Sequence, residues 1–504
     1  MRKKRLVWNT TTSLVYQLVT IICGLILPRL ILNGFGSEVN GLVNSIKQFL
    51  TVISFLELGV GAVVQSALYK PLSENNTVKL SQIVTSANSF FRKIAFILMI
   101  YIVGLLVFYP KIVNAEFGYV YTDILIIAIS IGSLVQYYFG IVDMLFLNAA
   151  QRGYVQYIPQ SISIILNTLI SYIMIRYGAS IQAIKFVSSL IYLVRPLVLR
   201  IYIRKHYSLN YHEKYSGEPI SQKWNGVAQH IAAIVLDSTD VIVLSTFSTL
   251  ANVSIYSVYY LVVSGVKQLF MSLTNGFQSL IGELWARREI DELNRIFSWF
   301  EWLIHTGTVF FFGCTGILMI PFVQVYTKGI TDANYVQPLF AALITIANAG
   351  HCLRLPYNIM ILAGGHYKQT QSNYIIAAVV NIIISVIAVN IWGLVGVAIG
   401  TLIAMSYQTV WMAIYDSKNL LKWPLRKFIK QCFVDFLTVV IASLITEQLK
   451  LTSIAYISWF ILAIKTAVIW IVVILLINFV FYNDKIRHIM SKVGICVVKE
   501  GVNS

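Results

Sequence analysis

Apolar blocks of roughly 20 residues or more recur along the whole chain, each long enough to cross the ~30 Å hydrocarbon core of a bilayer. Only 12% of the 504 residues are charged and 58% are hydrophobic, whereas a soluble domain carries about a quarter charged residues. The blocks predict about fourteen membrane spans in an all-α integral membrane protein. Their cores lie at 11–32, 41–69, 83–109, 121–147, 156–176, 181–203, 225–247, 252–282, 297–326, 335–363, 371–391, 394–415, 430–446 and 455–481. The segments between them do not exceed roughly 20 residues, which leaves no room for a soluble catalytic domain. A G-x-x-x-x-G-K-[ST] phosphate loop does not occur. No small-residue cleavage site follows the first apolar run, so it reads as a retained span.

A second pattern divides the chain in two. Asn167-Thr-Leu-Ile-Ser171, ending in Gly178, reappears as Asn381-Ile-Ile-Ile-Ser385, ending in Gly393. To within one residue, the same offset pairs Tyr154 with Tyr367 and Ala150 with Ala363. It also pairs the polar loop Pro71 to Ser81 with the loop Trp285 to Arg295. Such repeats mark two-lobed transporters that bind substrate between pseudo-symmetric halves. The expected organisation is an N-lobe over 1–204 with spans 1–6, a linker over 205–224 and a C-lobe over 225–416 with spans 7–12. A basic connector with spans 13–14 occupies 417–484, and a tail covers 485–504. The mixed-charge stretch Ala286 to Arg295 predicts a short amphipathic surface helix.

The net charge of +17 falls mainly in one set of loops. Met1-Arg-Lys-Lys-Arg5, Lys70, Lys79, Arg152, Lys205, Lys214, Arg287, Arg288, Lys368, Lys418, Arg426 and Lys427 share a side, against Lys111, Lys328 and Lys450 on the other. The positive-inside bias therefore places both termini in the cytoplasm of a plasma-membrane protein. It points to anionic lipid rather than nucleic acid as the partner of the excess charge. Five scattered cysteines without a Cys-x-x-Cys pair indicate neither a disulfide framework nor a metal site.

Two motifs carry a family resemblance. Phe55-Leu-Glu-Leu-Gly-Val-Gly61 resembles the acidic-apolar-Gly-apolar-small pattern of polysaccharide-repeat flippases of the Wzx type. Asp240-Val-Ile-Val-Leu244, Phe247 and Val253-Ser-Ile-Tyr256-Ser-Val-Tyr259 look like that family's entry into its second half. The general plan covers nearly the whole chain and is similar to the wider multidrug/oligosaccharidyl-lipid/polysaccharide superfamily. The terminal span pair resembles the fourteen-span members. Pro28-Arg29-Leu30-Ile31 lacks the glycine of the lipid II flippase pattern, which disfavours that branch. The resemblance implies a MATE-like, two-lobed flippase that moves polyprenyl-pyrophosphate-linked oligosaccharide to the outer leaflet by alternating access. It implies no enzyme activity and no cofactor, with glycan polymerase and glycosyltransferases as partners. A cation-coupled drug exporter and a non-transporting scaffold for glycan assembly are the competing readings.

Charges inside spans cost ~2.5–3.5 kcal/mol on insertion scales and mark cavities or partners. Asp237 and Asp240, one turn apart near the midplane of span 7, form a candidate site for coupling to H+ or Na+, or fix helix packing. Glu57 has the same two readings. Lys267, close to mid-membrane, and Lys47 are candidate phosphate contacts in a central cleft. They read alternatively as a paired and a snorkelling lysine. Arg195-Pro196 and Arg354-Leu-Pro356 place a cation beside a helix bend, suited to a phosphate or to lipid headgroups. His305 and His351 read as satisfied polar residues. Lys185 and Lys465 read as snorkelling at span edges. Gly59 and Gly61 are spaced for close helix contact.

Overall fold

The computed structural model describes residues 2–57, 60–113, 117–215, 217, 227–421 and 424–492. The distal linker from 218 to 224, Gly59, Cys496 and the tail beyond 492 lie outside the described residues. The described residues form helices throughout. In chain order they are α1 (Arg2–Val52), α2 (Val60–Ser73), α3 (Thr77–Ile112), α4 (Tyr119–Val135), α5 (Ile141–Ala149) and α6 (Tyr154–Arg176). There follow α7 (Ile181–Tyr192), α8 (Val194–His206), α9 (Val227–Phe247), α10 (Leu250–Ala286), α11 (Ile290–Tyr326) and α12 (Pro338–Leu353). The last are α13 (Leu355–Ala363), α14 (Tyr367–Trp392), α15 (Leu394–Asn419), α16 (Leu425–Thr446), α17 (Tyr456–Phe481) and α18 (Asn483–Lys492).

Among the described residues, twelve helical stretches are long and apolar enough to cross a membrane. The longest, Val7–Glu57, has 51 residues. At ~1.5 Å per residue that is more than twice a bilayer's ~30 Å core. It is broken at Gly36, whose φ of 81° only glycine adopts readily, so it accounts for the first expected span and the start of the second. The seventh expected span is α9, of 21 residues. Outward-facing Phe460, Leu476 and Val480 on α17 are 64, 64 and 73% exposed. Apolar residues this exposed on a span suit lipid as the surrounding solvent. The chain is a multi-pass membrane protein.

The repeat is visible in the backbone. α6 and α14 start at the paired tyrosines, Tyr154 and Tyr367. The turns that follow them use Gly178 and Gly393, both with positive φ (75° and 55°). Asn167 and Ser171 are buried on α6, and Asn381 and Ser385 occupy the equivalent buried turns of α14.

Two sequence expectations need correction. The second span is not one helix over 41–69. It breaks into a 3-10 turn at Ile53–Glu57 before α2 begins. The Glu57 carboxylate there accepts a 2.6 Å hydrogen bond from the Tyr137 hydroxyl. The stretch 286–295 is not a separate surface helix. Ala286 ends α10, Arg288 adopts φ 60° in a tight turn, and Ile290 to Arg295 are the first turns of α11. Its charges pair locally, Arg287 with Glu283 and Arg295 with Glu292, both at 2.6 Å.

The chain divides into two compact units. The first comprises Met1–Ser257, Gly329–Ala333 and Tyr374–Val397. Its core is built on buried aliphatics of α1, α3 and α5 with Phe91, Phe146 and Tyr109. Buried Tyr109 donates to Ser45 at 2.7 Å, so the phenol brings its polar end to a partner. Asn9 on α1 caps the turn before α6, accepting from Tyr154 N–H and donating to Gln151 C=O, each at 3.0 Å. Asn40 donates to Ser254 at 2.7 Å and Gln48 to Ser238 at 2.8 Å, which stitches α1 to α10 and α9.

The second unit comprises Val258–Lys328, Asn334–Asn373 and Ala398–Ser504. Its α11, α16 and α17 pack round the fully buried Trp470. Gly313 on α11 lies flat against that indole, so any side chain there meets the ring. Trp302 donates to Asn478 at 2.7 Å, a second tie between α11 and α17.

Candidate functional site

Within the first unit a chamber of about 520 Å³ opens among α1, α4, α6, α7 and α8. Local backbone irregularities shape it. The turn Gln136–Gly140 between α4 and α5 is π-helical, a form frequent at functional sites. Pro196 has no N–H to donate to the Tyr192 carbonyl, and the helix breaks at Leu193 between α7 and α8. A side chain at Gly140 would press on Gln136 and on Pro196, so the two irregular segments meet there.

Three cations line this chamber, Lys47 from α1, Lys185 from α7 and Arg195 from α8. Lys185 is only 4% exposed, and it lies within electrostatic range of Lys47. Arg195 Nη2 reaches Gln156 Oε1 at 3.3 Å and the Met144 sulfur at 2.9 Å. Among the described residues, no carboxylate stands at ion-pair distance from any of the three. Glu57 is the one carboxylate in the lining, and its hydrogen bond goes to Tyr137. Three lining polar atoms, Arg195 Nε, Ser163 Oγ and Asn167 Oδ1, are buried without a protein partner. Buried polar atoms are normally satisfied, and like charges held close repel. An unpaired set of three cations with spare hydrogen-bonding atoms is suited to an anion with several oxygens.

The structure thus joins Lys47, Arg195 and Glu57 in one site and adds Lys185. Lys185 is not a snorkelling edge residue, because α7 turns its side chain into the chamber. A Lys followed by Ser188, Ser189 and Tyr192 at helical spacing is the signal for a polar inner face. A Cβ added at Gly61 would lie 3.5 Å from Leu145, an ordinary van der Waals distance, so this position does not need glycine for the close helix contact its spacing predicts.

The other expected site residues sit elsewhere. Asp240 is buried and accepts from the Tyr256 hydroxyl at 2.9 Å, whereas Asp237 is exposed. Lys267 and Arg354 belong to the second unit. Lys267 lies over the Tyr260 ring at 5.7 Å and within electrostatic range of His351. Arg354 Nη2 lies 2.9 Å from His351 Nδ1. His305 is satisfied, as its isolation predicts, but by an ion-pair partner, with Asp435 Oδ2 2.6 Å from its Nδ1. Its Nε2 lies 3.4 Å from the Tyr357 hydroxyl, which donates to Glu301 at 2.7 Å.

Fold and chamber together define an all-helical membrane protein with a cation-lined polar chamber in its first unit. No protein-family model matches the chain, and no curated protein matches it in sequence. Solved structures do. The chain is similar to a lipid II flippase, MurJ, in an inward closed conformation, with a TM-score of 0.68 at 15% identity over 95% of this chain and 100% of that one. It is similar to an inward-facing multidrug resistance MATE family transporter of the MOP superfamily, with a TM-score of 0.59 at 14% identity over 79% of this chain and 94% of that one. It is also similar to the Vibrio cholerae MATE transporter VcmN, with a TM-score of 0.56 at 13% identity over 83% and 98%. At such identities the likeness fixes the fold. That all-helical fold is the one the chain shares with the flippase and the MATE transporters.

Proposed function

We propose that the chain is a flippase of polyprenyl-pyrophosphate-linked oligosaccharide, working by alternating access in the plasma membrane for surface polysaccharide synthesis. One observation carries the reading: Lys47, Lys185 and Arg195 line a single chamber whose one carboxylate, Glu57, is engaged by Tyr137, so the cations outnumber the acids three to one. A pyrophosphate supplies the missing charge and several acceptor oxygens. The neighbour named as a lipid II flippase has the same fold and adds support for a lipid-linked cargo. The protein does no covalent chemistry in this scheme. Both termini face the cytoplasm, and the lobes are 1–204 and 225–416. Lys267 and Arg354 make further contacts with the anionic cargo, and Asp237, Asp240 and Glu57 respond to H+ or Na+. Glycosyltransferases supply the substrate and a polymerase consumes it.

The test uses a strain lacking the wild-type copy. Variants Lys185→Met and Arg195→Gln should leave lipid-linked repeat units in the inner leaflet and abolish surface glycan, with the protein confirmed in the membrane. Normal export by both would reject the chamber as the substrate site. The MATE-like fold and the buried carboxylate of Asp240 favour one second reading, a cation-coupled exporter. It requires dye export that depends on Asp240 and survives loss of the three chamber cations.

A further inference from the structure

A second cavity, of about 600 Å³, lies on the outer side of the first unit between α3 and the segment following α8. The two are tied together. Asn210 N–H donates to Ser81 Oγ at 3.0 Å, and Gln82 Nε2 to the Lys214 carbonyl at 3.2 Å. This brings Tyr211 and His212 over α3. Asn88, Arg92 and Phe96 follow one another at one-turn spacing along the helix, and Lys93 and Ile97 lie beside them.

The cavity has a polar end and an apolar end. N-terminal to Arg92, the exposed positions of α3 are Thr77, Val78, Lys79 and Ser89. From Phe96 onward they are Phe96, Ile97, Met99, Ile100, Val103, Val107 and Phe108, until Lys111 at the far end of the helix. The change from polar to apolar exposure marks the membrane–water boundary. Arg92 and Lys93 stand at that step.

The polar end is built for an anion. The lining holds Arg92 and Lys93 and no carboxylate. Two acids lie nearby and both are engaged: Asp143 takes Arg200 at 2.7 Å and the Tyr211 hydroxyl at 3.2 Å, and Glu213, next to His212, accepts from Asn210 Nδ2 at 2.8 Å. Arg200 also stacks on the Tyr211 ring at 4.1 Å, which fixes that wall. Arg92 is held over the Tyr138 ring at 5.1 Å. The Asn88 amide nitrogen is buried and has no partner, although Asn88 lines the cavity and is 5% exposed. A buried N–H donor left unpaired is costly, and a phosphate oxygen in the cavity would accept from it.

We propose that this cavity binds the headgroup of an anionic phospholipid, with its phosphate on Asn88, Arg92 and Lys93 and its acyl chains along Phe96 and Ile97. The site is separate from the chamber, and the proposal stands whether or not the chamber carries cargo. Its role is to hold one boundary lipid against α3.

The experiment uses the delipidated full chain in a neutral detergent. Dioctanoyl-phosphatidylglycerol, dioctanoyl-phosphatidylcholine and inorganic phosphate are titrated and followed by calorimetry and native mass spectrometry. The phosphatidylglycerol should bind saturably, at least about tenfold more tightly than either of the others, because only it offers both net charge and chains. Arg92→Gln/Lys93→Gln should weaken it by about 10–100-fold, the range for losing charge-assisted contacts. Asn88→Leu removes a buried amide nitrogen that has no protein partner, so it should keep the fold and weaken binding about fivefold. Lys185→Met should leave this binding unchanged. Equal affinity for phosphatidylcholine would show an apolar groove only, and equal affinity for inorganic phosphate a simple anion site. Either result overturns the proposal. Loss of phosphatidylglycerol binding in Lys185→Met would place the lipid in the chamber and overturn it too.

Discussion

Lys185→Met separates a binding lysine from a structural one, because the two roles predict opposite changes in stability. Lys185 is 4% exposed, close to a second cation and without a carboxylate partner among the described residues. Like charges held close repel by a few kcal/mol at an effective dielectric of ~20. Desolvation of a buried ion adds several kcal/mol more. Methionine fills a similar volume without either cost, and replacing buried charge by a well-packed hydrophobe stabilises by about 1–4 kcal/mol. The ligand-free variant should therefore melt a few degrees higher than the wild type. Binding should move the other way. A charge-assisted contact is worth about 1.5–3 kcal/mol, so affinity for a short-chain isoprenyl pyrophosphate should fall by about 10–100-fold. The assay is thermal unfolding of the purified protein in detergent, with and without a titrated pyrophosphate. A melting temperature that drops, together with unchanged affinity, would show that Lys185 supports the fold and would refute the reasoning.

Three further outcomes rest on other parts of the molecule. Gly313→Ala forces a methyl group into the Trp470 ring, so it should destabilise the second unit by at least the ~1–3 kcal/mol of overpacking; an unchanged melting curve would contradict the close approach of α11 and α17. His305→Phe leaves Asp435 buried without its cation and should cost about 3–5 kcal/mol, while the double variant with Asp435→Leu should recover most of it. Additive losses in that cycle would show no coupling between the two. Burial holds the Lys485 ammonium down from 10.5 to about 8, with Lys427 and Lys430 pushing the same way and Glu301 opposing. An undocked lysine binds more protons than the docked one between these values, so docking of α18 strengthens as pH rises through about 8. A spin label at Arg487 should lose mobility between about pH 7.5 and about pH 9.5, and Lys485→Met should abolish the change; identical spectra at both values would rule out the titration.

Much of the fold was legible because bilayer solvation writes it into composition. Lipid demands closed hydrogen bonding and apolar surface, so helix positions follow from apolar length alone. The paired asparagines of α6 and α14 and the positive-φ glycines that follow these helices showed the repeat, since glycine suits the left-handed turn that ends each helix. Breaks within a span were less legible. The interruption at Ile53–Glu57 lies in a continuous apolar run, and what it accompanies is Tyr137, in the distant turn Gln136–Gly140, donating its hydroxyl to the Glu57 carboxylate. Hydropathy does not carry such a contact.

The site was half legible, and the missing half has a physical cause. An ammonium near a span edge has two low-energy fates, the headgroup region or a polar interior, and the sequence prices both alike. Lys47 and Lys185 have the same chemistry and were open to the same snorkelling explanation. Rotation of the helix about its own axis decides between the fates, and the neighbours fix that rotation. Ser188, Ser189 and Tyr192 share the inward face of α7 with Lys185, and Ser189 donates to the Ala128 carbonyl on α4 at 2.5 Å. That bond pins α7 with its lysine turned inward. A span lysine accompanied at helical spacing by serine and tyrosine therefore points to a polar chamber, whereas one flanked by lipid-facing residues all round points to the headgroups. By that rule Lys465, between exposed Ile464 and Val468, keeps the snorkelling assignment.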